Sequence, residues 1–246
     1  MSALIAAELL KLRTVKTTWV LLAATIALSV LAIAGAIIAE NSAASPDFES
    51  ERGMRMILNM SSTGVVVVLV LGVIISSGEY RQRTATETFL ATPRRWRVIA
   101  AKLVVASAVG AAFGALATGA AIVAADRMYW ILDYDFPFAS ADVWSIFGGA
   151  VLFAALFGGL GAATGSLVRN QVAGITGWLV WLAIVEHIAG QLVPGLARWF
   201  PAAAGTALMR APIDNLLSRP AAGLVLGLYA VAFMGVAIVS ERYRDA

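Results

Sequence analysis

The side chains with most capacity for chemistry fall in two places. One is the adjacent pair Glu186 and His187, a carboxylate beside an imidazole that changes charge between about pH 5 and 8. Such a pair suits proton transfer or contact with a substrate. The other is GEYRQRTATETFLATPRRWRVIAAK, residues 78–102, where Arg81, Arg83, Arg94, Arg95 and Arg97 are interleaved with Phe89, Leu90 and Trp96. Arginine beside aromatic and aliphatic groups is a composition suited to docking a partner protein.

Both places have to be positioned by unusually apolar elements. Apolar residues make up 60% of the chain and charged residues 13%, against about 45–50% and 25% in soluble domains. A membrane-spanning helix needs roughly 20 apolar residues, and windows of that kind lie at 17–39, 57–78, 103–125, 143–168, 170–192 and 221–240. The expected fold is an all-α polytopic membrane protein of six transmembrane helices in one domain, 1–246. The fifth window is the least regular, because its unbroken apolar run stops at Val185 ahead of Glu186 and His187. Five spans plus one re-entrant element is the alternative.

Loop charge sets the topology. Residues 1–16 carry Lys11, Arg13 and Lys16 against Glu8, and residues 79–102 carry six bases against Glu79 and Glu87. Residues 40–56 hold four acids and two bases, and residues 126–142 four acids and one base. The positive-inside rule places the first two in the cytoplasm and the last two outside. The C-terminus, with Arg242 and Arg244, then returns to the cytoplasm. The connection holding Arg198, Arg210 and Arg219 against Glu186 and Asp214 fits the rule poorly. An apolar run of about 23 residues after a basic start exceeds the roughly 7–15 of a signal peptide, so the first span reads as a retained anchor. Residues 2–16 suit a short interfacial helix with Ile5, Leu9 and Leu12 on one side and Glu8 and Lys11 elsewhere.

Within 78–102, the separations from Glu79 to Arg83 and from Arg83 to Glu87 are four residues and favour a helix. Thr92 then Pro93 reads as an N-cap and first helical residue. Two helices therefore meet at a sharp corner. Glu79 has Arg81, Arg83 or an N-terminal base as partners, in a pair worth only about 0–1 kcal/mol if exposed. A solvated basic loop at the lipid headgroups is the plainer reading of this composition.

On these residues the chain resembles the permease subunit of bacterial ATP-binding-cassette transporters of the type-2 exporter class. The resemblance rests on SALIAAELLKLRTVKTTW from Ser2, on the glutamate, basic and threonine-rich stretch with its L-x-x-x-P-R corner, and on the stretch 186–219. In the second of these, Glu79, Arg81, Thr84, Thr88, Leu90, Pro93, Arg94 and Lys102 match the family pattern. The resemblance implies an N-terminal interfacial helix, a coupling segment at 79–97 that contacts an ATPase, and an outer re-entrant helical hairpin at 186–219. It assigns ATPase coupling to Glu79, Arg81, Arg83, Glu87, Phe89, Leu90, Pro93, Arg94 and Arg95. It also implies a bacterial cell-membrane protein in which a second permease copy, as a homodimer, pairs with two ATP-binding-cassette subunits. ATP and Mg belong to those subunits, and no cofactor is expected here, because the sequence has no phosphate-cradling G-x-x-x-x-G-K-[ST] loop.

Small residues recur at packing distance in Gly110 and Gly114, Gly161 and Gly165, and Gly223 and Gly227, which suits close helix approach. Gly148, Gly149, Gly158, Gly159, Gly161 and Gly165 make the fourth span permissive, with packing favoured over a dimer seam or a bend. Thr63, Ser76, Ser77, Thr164, Ser166 and Thr176 are the scattered hydroxyls of the spans, and most are expected to bond their own helices. A pathway so poor in charge suits a hydrophobic or amphipathic cargo such as a peptide, antibiotic or lipid.

An ion-coupled carrier is the second reading and lacks paired mid-membrane carboxylates. An intramembrane hydrolase is disfavoured, since Ser166 and His187 are expected at opposite ends of the membrane and no H-E-x-x-H occurs. A non-transporting structural membrane subunit uses the same packing glycines and docking loop. Absence of cysteine removes disulfide and thiolate chemistry, and the placement of the bases argues against nucleic acid. For Glu186 and His187, a structural role in the outer hairpin is favoured over a direct one.

Overall fold

A computed structural model describes residues 1–42, 47–82 and 95–243, with backbone alone at 95, 194 and 241–243. These residues form helices and no strand. Six helical stretches are long and apolar enough to cross a membrane: Lys16–Asn41, Glu51–Gln82, Trp96–Ile131, Ala141–Val168, Gln171–Leu192 and Arg219–Ser240. A chain in hydrocarbon must satisfy its backbone within each segment, and helices do so.

Helix α1 (Ser2–Thr14) is separated from α2 (Lys16–Asn41) by Val15 in extended conformation. The corner is braced by the Trp19 indole N–H, which donates to the Arg13 carbonyl at 3.2 Å. The second span is composite. Helix α3 (Glu51–Asn59) starts at Ser50, whose hydroxyl accepts from Gly53 N at 3.0 Å. A 3-10 turn at Met60–Gly64 then leads into α4 (Val65–Gln82). Ser and Thr cause the interruption, because their hydroxyls compete for backbone carbonyls. Ser61 donates to Leu58 O at 2.7 Å and Thr63 to Met60 O at 2.8 Å, while the Ser61 carbonyl is taken by Ser29 of α2 at 2.8 Å.

Helix α5 (Arg95–Ile131) is the third span and α6 (Ala141–Val168) the fourth. Helix α6 is the centre of the bundle, with 67% of its most apolar stretch buried. Its glycines allow this. A Cβ on Gly165 would come within 2.6 Å of the Val73 carbonyl oxygen, and one on Gly161 would press on the Leu69 carbonyl. Gly110 and Gly114 of α5 meet Ala154 of α6 in the same way. Packing is thus the use of these two pairs. Gly227 and Gly148 meet nothing within 4 Å and Gly223 only Leu208 at 3.8 Å, so the expected pair in the sixth span does not serve close approach.

Arg169, left-handed at φ 56, ends α6, and Asn170 caps α7 (Gln171–Val180) by accepting from Ala173 N at 3.1 Å. A π turn at Trp181–Val185 continues without a break into α8 (Glu186–Leu192). Glu186 and His187 are therefore inside the fifth helix and do not end it. Short helices α9 (Pro194–Ala197) and α10 (Pro201–Leu208) follow before α11 (Arg219–Tyr243). Helix α10 is buried against α6, with Gly205 on the Phe153 ring. Phe153 lies twelve residues into α6, about 18 Å at 1.5 Å per residue, so the hairpin packs alongside the fourth helix well inside its length. Of the six scattered hydroxyls, Thr63, Ser77 and Thr164 bond carbonyls of their own segment, to Met60 O, Val73 O and Leu160 O, while Ser76 Oγ is buried without a partner among the described residues.

Candidate functional site

Four charged side chains close a ring at the end of the bundle that carries α1. Lys11 donates to Glu8 Oε1 at 2.8 Å and to Glu79 Oε1 at 2.7 Å. Lys102 reaches Glu8 Oε2 at 3.2 Å and Glu79 Oε1 at 3.0 Å. Each carboxylate thus touches both ammonium groups, and the net charge is zero. The ring is largely withdrawn from solvent, with side-chain exposure of 5% at Lys102, 9% at Glu8 and 12% at Glu79, although Lys11 keeps 51%. Burial alone would pull the Lys11 ammonium down. Its hydrogen bonds to Glu79 and Glu8 and their fields outweigh that, holding it above the ordinary lysine value. The stabilisation tied to this shift is present below the ordinary lysine range and is lost only as pH rises through the raised value.

Three elements supply the ring. Glu8 and Lys11 are three residues apart on α1, Glu79 ends the apolar run of α4, and Lys102 sits in the second turn of α5. The chain between Glu79 and Lys102 contains the whole arginine-rich corner, so the ring ties both ends of that segment to α1 and to each other. Of the residues expected to couple, Glu79 and Arg81 are placed, Arg81 with its guanidinium 3.4 Å from Gln171 Oε1. Arg83, Glu87, Phe89, Leu90, Pro93 and Arg94 lie outside the described residues, as do Thr84, Thr88, the Thr92 cap and Arg244; of Arg95 only the backbone is described.

Glu79 pairs with an N-terminal base, as expected, and also with Lys102; the ring is mostly buried, so the value for an exposed pair does not apply. The expected face of α1 is corrected. On α1, Glu8 is the buried residue while Leu9 is 37% exposed: pairing outweighs hydrophobicity in setting which side of this helix faces the bundle. The spacing of Glu8 and Lys11 was the available signal. A lysine inside an apolar run, as at Lys102, was the other.

The opposite end has its own anchor. Asp142, in the first turn of α6, accepts from Arg55 of α3, whose Nε lies at 2.9 Å, and from Arg210. Arg219 donates to the Ser145 hydroxyl at 2.6 Å and to its carbonyl at 3.0 Å. Asn59 donates to Met209 O at 3.1 Å. Arg210 and Arg219, which fit the loop-charge rule poorly, are thus engaged in holding the hairpin to α6.

Glu186 and His187 are not brought together. Glu186 Oε1 accepts from the Trp181 indole at 3.0 Å and Oε2 from Ala202 N at 3.1 Å, in the first turn of α10. A carboxylate there satisfies an orphan N–H and complements the helix dipole. His187 is exposed, with Nε2 3.0 Å from Gln191 Nε2. This arrangement is that of a hairpin brace.

No group of acids and histidines able to hold a metal occurs among the described residues. No curated protein and no solved structure matches the chain. A family model described as ABC-2 family transporter protein matches residues 4–176, which takes in α1, the four-charge ring, the basic segment and the first four spans. The chain therefore belongs to the ABC-2 transporter family and is a multi-pass transmembrane subunit of an ABC transporter, the permease part that works with an ATP-binding partner.

Proposed function

We propose that the chain is the membrane half of an ATP-driven exporter. Two copies join two ATP-binding subunits that carry ATP and Mg, and the N- and C-termini face the cytoplasm. Segment 79–97 is the surface on which each ATPase docks. The observation that carries this reading is the ring of Glu8, Lys11, Glu79 and Lys102. A push on the segment by a closing ATPase would pass through the ring to α1, α4 and α5 together, since none of the three can move without separating charges withdrawn from water.

The cargo is hydrophobic or amphipathic: a peptide, an antibiotic or a lipid. Two features support this. The span hydroxyls Thr63, Ser77 and Thr164 are bonded to their own helices. The ion pairs of the described residues gather at the two ends of the bundle.

The test replaces Arg94 and Arg95 together by glutamate and measures co-purification with the ATP-binding subunit. Association should fall about tenfold or more, the scale of reversing an interfacial charge pair, with the thermal unfolding of the permease unchanged. Intact association and transport would count decisively against the docking role.

A further inference from the structure

A partly open cavity of about 290 Å³ lies between the fourth, fifth and sixth spans. It is lined by Thr164, Gly177, Trp178, Trp181, Tyr229 and Phe233, and Phe200 with Pro201 of the hairpin also contributes to its wall. It is built to be dry. The Trp178 indole N–H is committed to Thr164 Oγ1 at 3.1 Å and that of Trp181 to Glu186 at 3.0 Å. Both rings therefore offer carbon faces. An apolar cavity of about 150 Å³ already holds benzene, and this one is nearly twice that size.

Its position says what fills it. The wall from Ala173 to Trp181 runs eight residues along the fifth helix, about 12 Å, starting near the end of the bundle that holds the ring. The hairpin brings Phe200 against Trp181, ring centroids 5.9 Å apart, at the other end of that wall. One leaflet of the hydrocarbon core is about 15 Å deep. The cavity thus has the polarity of a lipid tail and a wall nearly as long as one leaflet is deep.

We propose that it binds one acyl chain of a membrane lipid, taken from the leaflet at the α1 end, with its terminal methyl under the hairpin. The site is distinct from the charge ring and does not rest on the export reading.

The full chain alone, in phosphatidylethanolamine and phosphatidylglycerol nanodiscs, is doped with a phosphatidylcholine bearing a diazirine midway along one acyl chain. It is irradiated and mapped by peptide mass spectrometry. Labelling of Trp178, Tyr229 and Phe233 should saturate at low probe fraction, whereas the exposed Leu224 and Leu228 should label in proportion to it. Gly177→Leu adds bulk at the cavity wall, at a position where a Cβ meets nothing within 4 Å. It should remove the cavity labels and leave those at Leu224 and Leu228. Cavity labels that are absent, that rise in proportion to probe, or that survive Gly177→Leu overturn the proposal. If that variant fails to fold, the saturation measured on the unaltered chain decides.

Discussion

Lys102 holds two carboxylates while only 4% of the residue is exposed. Removing its charge leaves Glu8 and Glu79 sharing Lys11 alone. Lys102→Met should therefore cost about 3–5 kcal/mol, read as a lower unfolding temperature in detergent. Adding Glu8→Gln should recover much of the loss, since it leaves the Lys11–Glu79 pair with no excess charge. No recovery would mean that Lys102 acts by packing and not by pairing. The hairpin brace makes a second contrast at this scale. Glu186→Ala strands the Trp181 and Ala202 N–H groups, a loss of about 1–3 kcal/mol, while the exposed His187→Ala should change little. Folded yield and export, measured together, separate the roles: unchanged yield with export lost in either variant would restore a direct part for that residue.

Helix approach is the matter at the scale of elements. Between apolar helices in lipid the hydrophobic effect supplies little drive, and close packing decides. Helix α6 meets α4 and α5 through glycines whose missing Cβ atoms make room for backbone carbonyls. Gly161→Leu forces α6 away from Leu69 of α4 and should destabilise by about 1–3 kcal/mol or more. Gly227→Leu, on an open face of α11, should leave stability unchanged or raise it, because leucine is the better helix former. Thermal unfolding of the two variants side by side checks both, and equal losses would refute the assignment of faces. Of the local signals in the sequence, glycine spacing alone did not separate these two cases. Gly161 with Gly165 and Gly223 with Gly227 read alike as strings and differ in what stands opposite.

Over the whole molecule, burial is uneven. The most apolar stretches of α2, of the fifth span and of α11 are only 22%, 11% and 22% buried, leaving three spans to meet lipid or another copy. The homodimer proposed above would cover part of that surface. The chain has no cysteine, so Leu31→Cys on α2 and Ile184→Cys on the fifth span, 66% and 51% exposed, can be introduced singly and together without background. Disulfide-linked dimers should form in membranes for at least one of these variants. Monomer throughout, with the ATP-binding subunit present, would set the homodimer on these faces aside.

What the sequence determined by itself was the solvent. Hydropathy sums along the chain, and a segment of some 20 apolar residues has to be a helix in hydrocarbon whatever its neighbours do. Six helices long and apolar enough to span, and a short first helix, were therefore legible. Tertiary structure decided the partners. The ring joins Lys11 to Glu79 across 68 positions and Lys102 to Glu8 across 94, and Arg55 meets Asp142 across 87. No local pattern encodes such distances: a charge near a helix end reads as a loop charge until the fold brings a counter-charge within about 3 Å. Glu186 with His187 is the converse case. Adjacency in sequence suggested one site, but successive residues of a helix point about 100° apart, and the two side chains went to different neighbours.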